Sequence, residues 1–125
     1  IHTMAERCKQ MDKMQWLEMD AMAMTFPSES FDIAIDKGTL DALLCEQTSA
    51  WEVEDHIAQN IDKMLSEVAR VLNKNGTYIY ITFGQPHFRK NLLLKEKYGW
   101  SLKTTETIGD CFHYFIYIIQ KGNAN

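Results

Sequence analysis

The sequence predicts an α/β domain on a mostly parallel sheet that ends in an antiparallel pair, and three observations lead there. Two apolar runs rich in β-branched and aromatic residues, "FDIAID" from Phe31 and "TYIYITF" from Thr77, flank a stretch with strong helical periodicity. Two more runs of strand character, "WSLKTTETI" and "CFHYFIYIIQKG", close the chain with Gly109 and Asp110 between them, which is hairpin chemistry. The 125 residues suffice for one packed core, so a single domain over residues 1–125 is expected.

Each element has its own warrant. Residues 1–12 have helix-forming composition, with Met4, Ala5 and Cys8 at helical spacing. "MQWLEMDAM", from Met14, alternates weakly and predicts a short strand ending near Asp20. In "FPSES", Pro27 lacks the backbone donor that a helix or central strand would use, so this is a turn. "FDIAID" follows as a strand with Phe31, Ile33 and Ile35 on one face and small Ala34 on the other, read as buried and ending on Asp36. Thr39 is placed to N-cap a short helix through Leu44. "EQTSAWEVED" is a polar linker with one large aromatic, Trp51.

Ile57, Ile61, Met64, Leu65, Val68 and Leu72 then recur at steps of three and four, one apolar stripe on a long helix. "NKNG" ends it, since Asn75 and Gly76 tolerate left-handed backbone. "TYIYITF" lacks helical spacing and reads as a central strand. "GQPHFRKNLLLKEKYGW" begins as a loop through Pro86 and becomes a short helix before Gly99.

Composition narrows the function. A formal charge of −4, with Lys and Arg scattered, argues against a basic nucleic-acid-binding face. Three cysteines without CxxC spacing suit reduced thiols in the cytoplasm better than a disulfide framework. No run reaches the roughly 18 apolar residues of a spanning helix, and "IHTMAERCKQ" has no signal-peptide pattern. A soluble cytoplasmic protein with neither nucleic acid nor membrane as partner is expected. GxSxG, P-loop, HExxH and GxGxxG motifs are absent, as is metal-ligand spacing among His and Cys.

In open parallel sheets, ligands bind beyond the carboxyl ends of the strands. That rule selects Asp20 to Met22, Asp36 to Thr39, and Phe83 to Arg89. Each has a plainer alternative. Asp20 can cap a turn by accepting from an amide two residues on. Asp36 and Lys37 can form an exposed ion pair worth under about 1 kcal/mol. His87, Phe88 and Arg89 can be a solvated loop, His113 a structural residue of a strand, and the many methionines core filler or pocket lining.

The order "MD…FPSESFDIAIDKGTLDALL", "LSEVARVLNKNGTYIYITF", "PHFR", "YGWSL" and an aromatic strand before "KG" resembles the seven-strand, S-adenosylmethionine-dependent methyltransferases. Within them, "DKGTLDALL" looks like the methyltransferase-like branch that includes lysine methyltransferases of translation elongation factor one alpha. The resemblance covers nearly the whole chain from about Trp16, and "DKGTLDALL", "PHFR" and "YGWSL" are its most specific parts.

It implies a Rossmann-like mixed sheet in the strand order 3-2-1-4-5-7-6, protein-lysine N-methylation and S-adenosylmethionine as cofactor. By position, Asp20 lies near the adenine amine, with the backbone of Ala21 or Met22 facing the ring. Asp36, with Lys37 and Gly38, faces the methionine end of the cofactor and the methyl-transfer site. Phe88, in the loop from Gly84 to Arg89, lines the target-lysine side. The family's first two strands, glycine-rich loop and ribose-binding acid belong upstream of Ile1. The chain is therefore expected to be the C-terminal portion of a methyltransferase domain, incomplete at its N-terminus, with one strand edge unpaired and no activity by itself. The rival expectation is a non-catalytic, methyltransferase-like scaffold for protein interaction. A nicotinamide-dependent Rossmann enzyme is disfavoured by the closing hairpin.

Overall fold

The computed structural model describes residues 14, 15, 17–44, 55–83, 90, 92–109 and 114–122. Strand β1 (Phe31–Lys37) leads into helix α1 (Thr39–Leu44); helix α2 (Asp55–Val71) then runs directly into β2 (Leu72–Thr82). A 3-10 turn (Glu96–Tyr98) precedes β3 (Trp100–Ile108) and β4 (Tyr114–Lys121). The four strands form one sheet in the order β1-β2-β4-β3. β1 and β2 are parallel, whereas β4 is antiparallel to both β2 and β3. This matches the stretch 4-5-7-6 of the order that the resemblance implies. "TYIYITF" is central, as its composition predicts, and "FDIAID" is the outer strand, with no partner on its far edge among the described residues.

Two of the expected elements need correction. The segment around Met14 to Asp20 is not a strand in its described residues: the sheet's four strands all lie downstream, and an isolated extended segment has no ladder to join. "NKNG" is not a separate turn but an irregularity inside β2, where Phe31 pairs with Leu72 and Ile33 already with Thr77. Asn75 takes the left-handed φ of 65° that lets the strand absorb the extra residues. At Gly76 a Cβ would sit 2.8 Å from the Asn73 carbonyl and 3.2 Å from that of Asp32, so only glycine lets β2 close on β1 here. The expected helices over residues 1–12 and the linker around Trp51 lie outside the described residues.

The core lies between α2 and one face of the sheet. Ile57, Ile61, Leu65 and Val68 of α2 pack with Leu40 and Leu44 of α1, and with Tyr78, Tyr80, Tyr117 and Ile119 from β2 and β4. Tyr78 and Tyr80 stack at 6.3 Å between ring centroids, Tyr80 and Tyr117 at 5.5 Å, and Tyr78 and Trp100 at 5.3 Å. Trp100 donates its indole N–H to the Leu93 carbonyl, so its buried polar atom is satisfied. Tyr98 and Lys97 both donate to Asp62, which fastens the 3-10 turn to α2.

The other face is different. Phe31, Ile33 and Ile35 point away from the helices, and Ile33 and Ile35 are 57% and 67% exposed. The apolar side of β1 is thus not the side against the helices; Ala34 and Asp36 occupy that side. The strand's parity is fixed by Asp36, whose carboxylate is used inside the fold.

Candidate active site

β1 and β2 end side by side at one rim of the sheet, where β4 begins, and the sequence there supplies a polar set. Asp36 is 6% exposed. Its Oδ1 accepts from the Thr39 amide at 3.0 Å, and its Oδ2 from the Leu40 amide at 3.3 Å and the Tyr78 hydroxyl at 3.0 Å. The acceptor that caps α1 is therefore Asp36, not the hydroxyl of Thr39. A carboxylate satisfies two unpaired first-turn amides where a hydroxyl would satisfy one. Burial pushes the Asp36 carboxyl above the usual aspartate range, against the pull of the Thr39 amide and Tyr78 hydroxyl. Tyr78 in turn is held far above the ordinary phenol value by its own burial and by the Asp36 charge.

The next acid, Asp41, does the same one step along β2. Tyr80 donates its hydroxyl to Asp41 Oδ1 at 2.5 Å, and Thr82 donates to Oδ2 at 2.6 Å. Tyr78, Tyr80 and Thr82 alternate along one face of β2, so their hydroxyls form a buried row that two aspartates of the "DKGTLD" segment accept. Above this row lies a cavity of about 260 Å³ lined by Lys37, Gly38, Asp41, Ile81, Thr82, Phe83 and Tyr114. The rings of Phe83 and Tyr114 stand 4.2 Å apart, and the Lys37 ammonium sits 5.9 Å from the Tyr114 ring centroid.

The Asp20 segment forms a separate polar turn. Asp20 Oδ1 accepts from the Met22 amide at 2.9 Å, and the Ala23 amide donates to the Asp20 carbonyl at 3.0 Å. The turn that the plainer alternative anticipated is present, and it holds Ala21 and Met22 at its tip. Beside it, Leu17, Met19, Ala21, Met24 and Phe26 line an open apolar cavity of about 230 Å³.

This segment is tied to α2 by Arg70 and Glu67. The Arg70 guanidinium donates to the carbonyls of Phe26 at 2.8 Å and Met24 at 3.1 Å, and to Glu67 Oε2 at 2.7 Å. Glu67 Oε1 accepts from the Met24 amide at 2.7 Å. The hydrogen bond from Arg70 keeps the Glu67 carboxyl below its usual range, and Arg70 is raised by the same contact. The clasp is thus complete above the ordinary glutamate pKa and weakens as pH falls through the lowered one. Replacing Arg70 with alanine is expected to speed hydrogen exchange of the Met24 amide while leaving the middle of α2 protected. Unchanged exchange at Met24 would mean that the clasp holds nothing.

Among the expected site residues, Asp36, Lys37 and Gly38 lie at one rim position, and Asp20, Ala21 and Met22 form one turn. Phe88, His87, Arg89 and His113 lie outside the described residues. Sequence reasoning missed Asp41, Tyr80, Thr82 and Tyr114, and also the Glu67–Arg70 clasp. A signal for the first set was present: hydroxyls at alternate positions of a central strand must find acceptors when buried.

A model of a methyltransferase domain family matches residues 1–80. The chain is 39% identical over 124 residues to EEF1A lysine methyltransferase 4 of Mus musculus, spanning 99% of this chain and 48% of that protein. It is 38% identical over 92 residues to the eEF1A lysine and N-terminal methyltransferase of Homo sapiens, spanning 73% of this chain and 12% of that protein. The chain thus spans about half the length of the first of these relatives. In fold it is similar to the 1,6-didemethyltoxoflavin-N1-methyltransferase of Burkholderia thailandensis, with a TM-score of 0.64 at 13% identity, covering 98% of this chain and 56% of that one.

Proposed function

We propose, because this chain belongs to the S-adenosylmethionine-dependent methyltransferase family, that the whole protein methylates lysine side chains of a protein substrate, a translation elongation factor one alpha. The observation that carries this is the 39% identity to an EEF1A lysine methyltransferase over 99% of the chain. The position of the polar rim at the carboxyl ends of parallel β1 and β2 supports it, since ligands of such sheets bind there.

The cofactor's fit is supported by the Asp20 turn and its neighbouring cavity. A flat purine suits the apolar walls of Ala21, Met24 and Phe26, and a carboxylate at Asp20 can accept from an exocyclic amine. Lys37 and Gly38 line the rim cavity, and the Gly38 φ of 97° brings bare backbone to its wall. Asp36 contributes by holding α1 at its first turn, which fixes the backbone of Lys37 and Gly38 between strand and helix. Phe88 is proposed on sequence position alone, at the acceptor side.

S-adenosylmethionine, when bound, supplies a methyl group already activated on a sulfonium. The protein's task is then to align a neutral amine with it and exclude water, and alignment supplies much of the rate. The amine's proton must leave to solvent or to a nearby base before attack. Three thiols without disulfide spacing support a cytoplasmic site of action. No helix of the described residues is long and apolar enough to cross a membrane.

The test is a methylation assay of the full-length protein with labelled cofactor and purified elongation factor, followed by mapping of the modified residue. Labelling on a lysine is expected, and its absence, in a protein that binds the cofactor, would favour the scaffold alternative. In the same protein, Asp20→Ala is expected to weaken cofactor binding by about 1.5–3 kcal/mol, the range of a hydrogen bond to a charged group. Calorimetry showing an unchanged Kd would remove Asp20 from the site.

A further inference from the structure

We infer that Glu67 and Arg70 of α2 are positioning residues for the cofactor: they set the wall formed by Met24 and Phe26, in the open apolar cavity beside the Asp20 turn, to receive a flat heteroaromatic ring. This rests on the reading above that puts the cofactor's purine in that cavity, and adds to it the residues that hold the wall. Met24 and Phe26 both line the cavity. They are half-buried and alternate with exposed Ala23 and Thr25, so their side chains point to the same side.

Residues 24–26 belong to no helix or strand, so no ladder fixes their backbone, and side chains of α2 do so instead. Both backbone groups of Met24 are engaged: its amide donates to Glu67 Oε1 at 2.7 Å, and its carbonyl accepts from the Arg70 guanidinium at 3.1 Å. The same guanidinium donates to the Phe26 carbonyl at 2.8 Å and the Ser28 hydroxyl at 3.3 Å, and is itself held by Glu67 at 2.7 and 3.2 Å. Further along, the carbonyls of Arg70 and Val71 accept from the Glu29 and Ser30 amides at 2.8 Å each. The Phe26 ring is fixed separately, edge-on against Phe31 of β1, with centroids 4.7 Å apart at 83°. The wall is thus anchored to the core helix and to the sheet. A planar fork of donors reaches these acceptors at once, whereas a lysine ammonium is a point charge that cannot. A wall already in place spares a ligand the cost of ordering two side chains, and that saving appears as affinity.

The experiment is calorimetry on the full-length protein with two ligands, S-adenosylhomocysteine and 5′-methylthioadenosine, which shares the adenosine but lacks the amino-acid end. Arg70→Lys is expected to weaken both ligands by the same factor, roughly five- to a hundredfold, the cost of ordering two freed side chains on binding. Glu67→Gln keeps an acceptor for the Met24 amide and should show a smaller loss, again equal for the two ligands. A lowered urea midpoint with both dissociation constants unchanged would make the clasp structural only and overturn the inference. A loss confined to S-adenosylhomocysteine would overturn it too, because the fault would then lie at the amino-acid end. If Arg70→Lys fails to fold, Glu67→Gln decides, and unchanged binding there counts equally against the role. An unmodified protein that binds neither ligand refutes the cofactor reading and the positioning role with it, whereas binding that both variants leave intact refutes the role alone.

Discussion

Replacing Asp36 with alanine is expected to lower stability by about 2–4 kcal/mol, read from urea unfolding at neutral pH. The change removes the acceptor for two amides at the start of α1 and leaves the hydroxyl of fully buried Tyr78 without its partner. Loss of a cap alone costs about 0.5–2 kcal/mol, and an orphaned buried donor about 1–3 kcal/mol. Asn at the same position keeps an acceptor oxygen and should recover part of the loss. The comparison with Asn also has a signed pH dependence. Because burial raises the Asp36 pKa in the fold, its neutral form is the one the fold favours. Stability of the unmodified protein relative to Asp36→Asn should be greatest below the ordinary aspartate pKa and decline as pH rises through the raised one. A relative stability that climbs over that window would mean that the hydrogen bonds outweigh desolvation.

Leu65→Ala is expected to cost about 2–5 kcal/mol, the range for a buried leucine whose site cannot collapse. Leu65 is fully buried on α2, within the cluster that joins both helices to the tyrosine face of the sheet. α2 is the long helix that covers this face, so a void there has stacked aromatic rings on one side and helix on the other. Denaturant unfolding with an unchanged m-value is the check. A loss under about 1 kcal/mol would show that the aromatic layer shifts to fill the space.

The stripe of α2 was legible because Ile57, Ile61, Leu65 and Val68 recur with the helical period, and a helix can bury such a stripe in one way only. The strand character of β2 and the hairpin of β3 and β4 were legible for a similar reason: β-branched and aromatic density, with Gly109 between the runs. The strand expected around Met14 was not borne out, since two or three alternations do not supply a pairing partner. The Asp20 turn was legible as one of two alternatives, and the Met22 amide donates to its carboxylate. The Glu67–Arg70 clasp joins residues more than forty positions apart, which no local pattern records.

By itself the sequence determined the element types, the central place of "TYIYITF" and the family likeness carried by "DKGTLDALL", because period, β-branching and short motifs are local properties of the chain. The tertiary structure alone decided which face of "FDIAID" meets the helices and which aspartate reaches the rim cavity. Alternation in a strand defines two faces but not their sides. The choice fell to Asp36, whose carboxylate turns inward because the amides of α1 and the hydroxyl of Tyr78 wait there, and its inward turn leaves Asp41 to line the cavity.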